Sequence, residues 1–424
     1  MQPDPGQAVV TAPPVVPALD ALPAPEVGLE ATEVDPHRQW LEATALLQVH
    51  AHGDGLVFIG LNAVCDPLEP DRDEPYAKPD LAPAGMAETG ATKFPGRLRY
   101  LMEEWSQTHS AITAWINRLR RRFGDRLRLV IWDDASGGVP WELLWLDPVP
   151  ADPAPDDPAP DDLAPDDAVP DGSLPGGSLP GGWLGALVSV TRWFTLRDDA
   201  RNPYSDRPQH CHGRIVAHLD GVQRRREYAT IRHYTLQPED EIANLRKFLA
   251  RVRDHASDPA LIYMAAEGAH GDHLTSFRLG SQEIWELKGR FRALRQYNGV
   301  VFLNSCHSGV VLNDPQLNDG KLRGFAQLFL SEGAQGVIGT LGAVGDNNAF
   351  RVIAALAGTA GRDPVEVASV LRDLRAQAAR EADERAEGDE ADERDLWTFH
   401  DIFMYVYYGN PATTLQLTRN PTSA

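Results

Sequence analysis

Two residues suited to nucleophilic chemistry follow apolar runs of similar character. In GVVFLNSCHSG, residues 299–309, a run that reads as a buried strand leads straight into Cys306 and then Ser308-Gly309. In LIYMAAEGAHGDH, residues 261–273, a second such run leads towards His270-Gly271. A free thiol is mostly protonated at neutral pH, and to attack a carbonyl it needs a nearby imidazole that removes or shares its proton. If the two strands are neighbours, His270 faces Cys306. The backbone N–H groups of Gly271 and Cys306 then form an oxyanion hole, glycine being useful where the chain must approach the reacting carbonyl closely. Each residue also has a plain structural reading, the cysteine as a small core residue and the histidine as part of a glycine-containing loop. What raises the pair above that reading is shared topology, since both follow apolar strands at the same end.

Other chemistry-bearing residues carry less. His50, His52-Gly53 and Cys65 make a second His/Cys set, but Cys65 sits beside Asp-Pro without a following Ser-Gly and helix. Cys211 between His210 and His212 hints at metal, yet a zinc site wants four ligands and no second cluster accompanies it. Asp346, after a strand and before a helix, reads most simply as an N-cap. No cofactor or metal is expected, and no glycine-rich phosphate loop follows any strand, which counts against a nucleotide-binding protein.

The elements that must position Cys306 and His270 alternate along the chain. Strands are expected at 55–62, 127–134, 183–194, 213–221, 260–268, 299–306 and 334–341. Helices are expected near 98–119 with a break at Ser110, and at 239–255, 322–332, 346–358 and from Pro364 onward. Residues 40–50 fit either a helix or a strand. Strands that are apolar throughout, alternating with helices, predict an α/β fold: a mostly parallel sheet with helices on both faces and its active site at the carboxyl ends of the strands.

Composition sets the outer limits. The chain has 424 residues and a formal net charge of −21, which argues against nucleic-acid and anionic-membrane partners. Three cysteines are a poor disulfide framework and point to a reducing compartment, the cytoplasm. No signal peptide and no spanning run is evident. Residues 1–36 read as a disordered Pro/Ala-rich tail and 37–122 as an N-terminal α/β region. The main domain runs over 123–420 and is interrupted at 148–182 by a low-complexity insert of APDD and GSLPG repeats.

Six segments, in order, carry a resemblance to the CHAT family of caspase-like proteins. They are VPWELLWL (139–146), LVSVTRWF (187–194, with Arg192), LIYMAAEGAHG (261–271), VVFLNSCHSG (300–309), FLSEGAQGVIGTLGAVGDNNAF (329–350) and YVYYGNP (405–411). The resemblance covers about 125–415. It implies a caspase-like fold and endopeptidase cleavage through a thioester, with Cys306 as nucleophile and His270 as general base and acid. One departure stands out. The family's His-Gly directly follows its strand, whereas that slot here reads Glu267-Gly268, with His270-Gly271 three residues later. Either the strand end is extended, or Glu267 has replaced the family histidine; His273 is a third candidate base. The resemblance further places Asp346 near the substrate cleft. Glu267, Asp272 and Asp346 together would favour Arg or Lys before the scissile bond, as in related basic-specific proteases.

A protease inside a cell must be restrained. Arg224, Arg225 and Arg226 in QRRRE make a candidate processing site, with an ordinary charged loop as the plain alternative. The resemblance implies a protein substrate and an effector, a zymogen, switched on by another protein, such as an upstream protease in a bacterial defence operon. A catalytically inactive CHAT module serving as a binding or scaffold subunit is the competing reading, and Glu267 is the feature that favours it.

Overall fold

The apolar runs of the sequence pair side by side in the computed structural model to give one 12-stranded sheet. The structure describes residues 42–68, 75–79, 94–135, 138–150, 178–196, 208–221, 224–235, 237–253, 259–314, 316–317, 321–386 and 393–420. The expected tail at 1–36, most of the insert at 148–182 and part of the acidic stretch after 378 lie outside the described residues.

The strands are β1 (Thr44–His52), β2 (Gly55–Asn62), β3 (Tyr76–Ala77), β4 (Arg128–Asp133), β5 (Ser189–Trp193), β6 (Gln209–Leu219), β7 (Pro259–Ala265), β8 (Val300–Asn304), β9 (Gly336–Thr340), β10 (Val365–Glu366), β11 (Tyr405–Gly409) and β12 (Thr413–Leu417). Their order across the sheet is β10-β12-β6-β7-β8-β9-β11-β5-β4-β1-β2-β3. The run β12-β6-β7-β8-β9 is parallel, as is β11-β5-β4-β1. Antiparallel contacts join β9 to β11 and close both edges.

Helices cover both faces: α1 (Phe94–Gln107), α2 (Ser110–Phe123), α3 (Arg224–Ile231), α4 (Leu245–Arg253), α5 (Phe325–Ser331), α6 (Asp346–Ala360), α7 (Val367–Ala386) and α8 (Glu393–Met404). Side chains alternate across a strand, so a strand buried on both sides must be apolar at every position. Along β7, Leu261, Tyr263 and Ala265 enter one core, with α3, α6 and α7, while Ile262 and Met264 enter the other, with α1, α2, α4 and α5. This is why the central strands read as unbroken apolar runs.

Two expected elements come out differently. The strand expected over 183–194 begins as a helical turn, Leu184–Leu187, before β5. Gly185 permits it, because a Cβ there would meet Glu142 and Arg375. The helix expected over 239–255 splits, because the Asn244 side chain accepts the Lys247 N–H at 3.1 Å and starts α4 afresh.

The PWELL segment and Arg192 have a shared structural task. Glu142 is fully buried, and its carboxylate receives both Nε and a terminal nitrogen of Arg192, with Arg375 at 4.0 Å. Burial alone would push Glu142 up, but the Arg192 guanidinium overrides this and holds it below the usual carboxylate range. Where the insert leaves and rejoins the fold, Val149 and Leu179 exchange two backbone hydrogen bonds, at 3.0 and 2.9 Å.

Candidate active site

Strands β7 and β8 are parallel neighbours, with Ala265 opposite Asn304, so the segments after them emerge together at the carboxyl edge of the sheet. Cys306 stands two residues beyond β8, and its loop is tied to β9. Ser308 Oγ donates to the Leu303 carbonyl at 2.9 Å and accepts from Thr340 N at 3.2 Å. The Gly309 N–H donates to the Thr340 carbonyl at 2.8 Å, and the Thr340 hydroxyl to the Ser305 carbonyl at 2.8 Å. The serine and glycine that follow the thiol in sequence are thus the fasteners of its loop. The thiol itself is half-buried and faces the Val344 carbonyl at 3.9 Å.

His270 lies beside this loop. Its ring stacks on that of His307, the residue after the thiol, with centroids 4.2 Å apart and planes 10° apart. His307 holds φ at 59°, a left-handed conformation that a non-glycine residue adopts at some cost. Burial pushes His270 down, partly opposed by Asp272. Burial, together with the facing His270, pushes His307 down to about 4. Two stacked imidazoles, both lowered, present a neutral pair at pH 7, the state in which one can accept a proton. No hydrogen bond joins the thiol to either ring among the described residues. Sequence reasoning passed over His307, although its position next to Cys306 was a usable signal.

Gly268, rather than Gly271, is the glycine against the thiol's backbone. A Cβ on Gly268 would lie 2.0 Å from the Cys306 carbonyl oxygen and 2.5 Å from Ser305 Oγ. A Cβ on Gly271 would meet only the Ser276 side chain, at 2.7 Å. The slot directly following the strand is therefore Glu267-Gly268 in space as well as in sequence. Ser305 is also new to the site: its hydroxyl is buried without a hydrogen-bond partner.

The remaining candidates distribute around this edge. Glu267 and Asp272 are exposed, and the Glu267 carbonyl accepts from Gly280 N at 2.7 Å. His273 turns to Asp314, Nδ1 to Oδ1 at 3.5 Å, and Asp314 accepts the Leu274 and Gln316 N–H groups, which hold it below its ordinary range. Asp346 is the first residue of α6, whereas the N-cap position belongs to Gly345. Asp401 supplies the tie there, accepting from Gly345 N at 2.9 Å and Asn348 Nδ2 at 2.7 Å. Arg224, Arg225 and Arg226 open α3. Arg225 is exposed, while Arg226 donates to Asn347 Oδ1 at 2.8 Å and lies over the Phe350 ring at 3.9 Å.

The other cysteines sit apart. Burial raises the Cys65 thiol, and raises that of Cys211 to about 12. The imidazoles of His210 and His212 are taken by Thr414 and Thr418.

No protein-family profile and no curated protein matches this chain. Among solved structures it is similar to the Saccharomyces cerevisiae separase–securin complex, with a TM-score of 0.37 and 13% identity, over 74% of this chain and 18% of that one. It is also similar to the Arg-specific cysteine proteinase gingipain R, with a TM-score of 0.37 and 11% identity, over 73% of this chain and 68% of that one. The complex of Porphyromonas gingivalis RgpB pro- and mature domains gives a TM-score of 0.37 and 10% identity, over 73% and 70%. The chain thus spans less than a fifth of the separase-complex chain. Among the described residues no helix is long and apolar enough to cross a membrane.

Proposed function

We propose that this protein is a caspase-like cysteine endopeptidase in which Cys306 is the nucleophile and His270 the general base and acid. The observation that carries the reading is the stack of His270 on His307. It brings His270 against the residue that follows a half-buried thiol, at the carboxyl edge of two parallel strands. In the reaction Cys306 Sγ attacks the scissile carbonyl, its proton passing to His270 and then to the leaving amine. Water hydrolyses the resulting thioester. The Cys306 N–H, with that of Gly271 or of Gly268, supports the oxyanion. Glu267, Asp272 and Asp346 give the edge a negative character that suits a basic residue before the scissile bond. The protein works in the cytoplasm on a protein substrate, as an effector in bacterial defence or signalling, and an upstream protease acting at Arg224–Arg226 is its activator.

One observation favours a second reading. Glu267, not a histidine, precedes the glycine that packs on Cys306, and a chain altered at that slot would serve as an inactive binding or scaffold subunit. The test is incubation of wild type, Cys306→Ala and His270→Ala with a fluorogenic peptide library. Cleavage by wild type, lost in both variants, supports the dyad. Loss in Cys306→Ala alone moves the base to another residue. Best cleavage after Asp or Leu refutes the basic preference. No cleavage by wild type, with or without a candidate activator, supports the scaffold.

A further inference from the structure

Beneath the Cys306 loop lies a polar network on which five elements converge. Asn304, the last residue of β8, is 7% exposed. Its Nδ2 donates to the Tyr263 hydroxyl of β7 at 2.7 Å, and reaches the Ala349 carbonyl of α6 at 3.2 Å and Glu227 Oε1 of α3 at 3.4 Å. Its Oδ1 accepts from the Tyr405 hydroxyl of β11. The Tyr263 hydroxyl and the Glu227 carboxylate each perturb the other across this network. The Asn304 amide is thus shared between the Tyr263 hydroxyl and the Glu227 carboxylate.

Glu227 is the unusual member. It is 5% exposed, and no Lys, Arg or His pairs with it among the described residues. Arg226, next to it, is turned to Asn347 and Phe350. The charged and titratable groups that do face the network are Asp346 from α6, Tyr263 from β7, Tyr405 from β11, and Asp401 and Cys306 beyond Tyr405. A buried carboxylate without a counter-ion costs stability, and that cost is borne here where Glu227 accepts from Asn304, two residues before the thiol.

We propose that Glu227 is a positioning residue for Cys306, acting through Tyr263 and Asn304 to fix where β8 ends and where the thiol stands. The inference rests on Cys306 being the nucleophile. Burial first, then Asp346, pushes Glu227 up to about 7, so the carboxylate that accepts from Asn304 forms as pH rises through neutrality. Below that, the carboxyl carries a proton and accepts more weakly from Asn304.

The test is the rate of Cys306 alkylation by iodoacetamide, read by mass spectrometry from pH 5.5 to 9 on full-length protein. Wild type, Glu227→Gln, Tyr263→Phe and His270→Ala are compared. The wild-type profile is expected to show an inflection near pH 7 that persists in His270→Ala and is absent from Glu227→Gln. Tyr263→Phe, which removes one hydroxyl, is expected to change the high-pH rate roughly fivefold, the worth of one hydrogen bond. A merely structural role would leave the inflection in place. Glu227→Gln and Tyr263→Phe profiles that superimpose on wild type overturn the proposal. If Glu227→Gln does not fold, Tyr263→Phe decides alone. The dyad reading fails by a different result, a His270→Ala profile identical to wild type.

Discussion

Replacing Gly268 by alanine adds one methyl group in a place with no room for it. Its nearest neighbours would be the Cys306 carbonyl oxygen at 2.0 Å and Ser305 Oγ at 2.5 Å, with the Cys306 carbonyl carbon at 3.0 Å. The Ser305 side chain can rotate away, but the carbonyl belongs to the loop that Ser308, Gly309 and Thr340 hold against β9, so either that loop or the start of the Gly268–Leu279 pairing must move. Overpacking of this kind costs about 1–3 kcal/mol, and a backbone clash sits at the upper end. A loss of about 3 kcal/mol lowers the melting temperature by roughly 3–5 °C in a chain of this size. Gly271→Ala is the matched control, since its only close contact is a serine side chain that can turn, and it should cost well under half as much. The assay is thermal unfolding of the two variants beside wild type, with Cys306 alkylation at pH 8 as a local readout. A Gly268→Ala protein that melts and alkylates as wild type, while Gly271→Ala does not, would refute the placement of Gly268 against the nucleophile's backbone. It would return the oxyanion position to Gly271.

Two further outcomes follow from the same geometry. His307 is held at about 4, below the 6.5 of an unfolded histidine. The unfolded chain therefore takes up the proton first as pH falls, so the contribution to stability is complete above about 6.5 and is lost between there and about 4. Urea midpoints at pH 7.5 and pH 5 should fall further apart in wild type than in His307→Phe, which keeps an aromatic face for His270. Equal separations would remove His307 from the account. Arg226→Ala gives up one hydrogen bond to Asn347 and one cation–π contact with Phe350. Trypsin cleavage after Arg225 should then quicken about fivefold through easier local opening of α3. An unchanged rate in timed digests would show that α3 is held by its apolar side alone.

The fold was legible because its strands are buried on both faces. Runs such as PALIYMA and VVFLN read as strands buried on both faces, and such strands belong to a parallel sheet like that of β7 and β8. Cys306 was legible for the same reason, a nucleophile type placed straight after an apolar strand. What stayed hidden depends on contacts between distant segments. Nothing local marks Glu227 as buried, since it sits in the charged string RRREY, and its partners come from β7, β8 and α6. The closeness of Gly268 to Cys306, and of His270 to His307, depends on how far the chain travels after β7 before turning. The strand expected through 183–187 failed where Gly185 lets a helical turn fit over Glu142, a fit no periodicity records.

The reciprocal pair of hydrogen bonds between Val149 and Leu179 makes that junction a port. Both chain ends are fixed side by side, and the entropy cost of closing a loop between two such points grows slowly, roughly 0.6 kcal/mol for each doubling in length. A joining segment of another length therefore changes the closure cost little. A tag, a reporter domain or a single short turn could be spliced there, leaving β4, β5 and the distant thiol edge as they are.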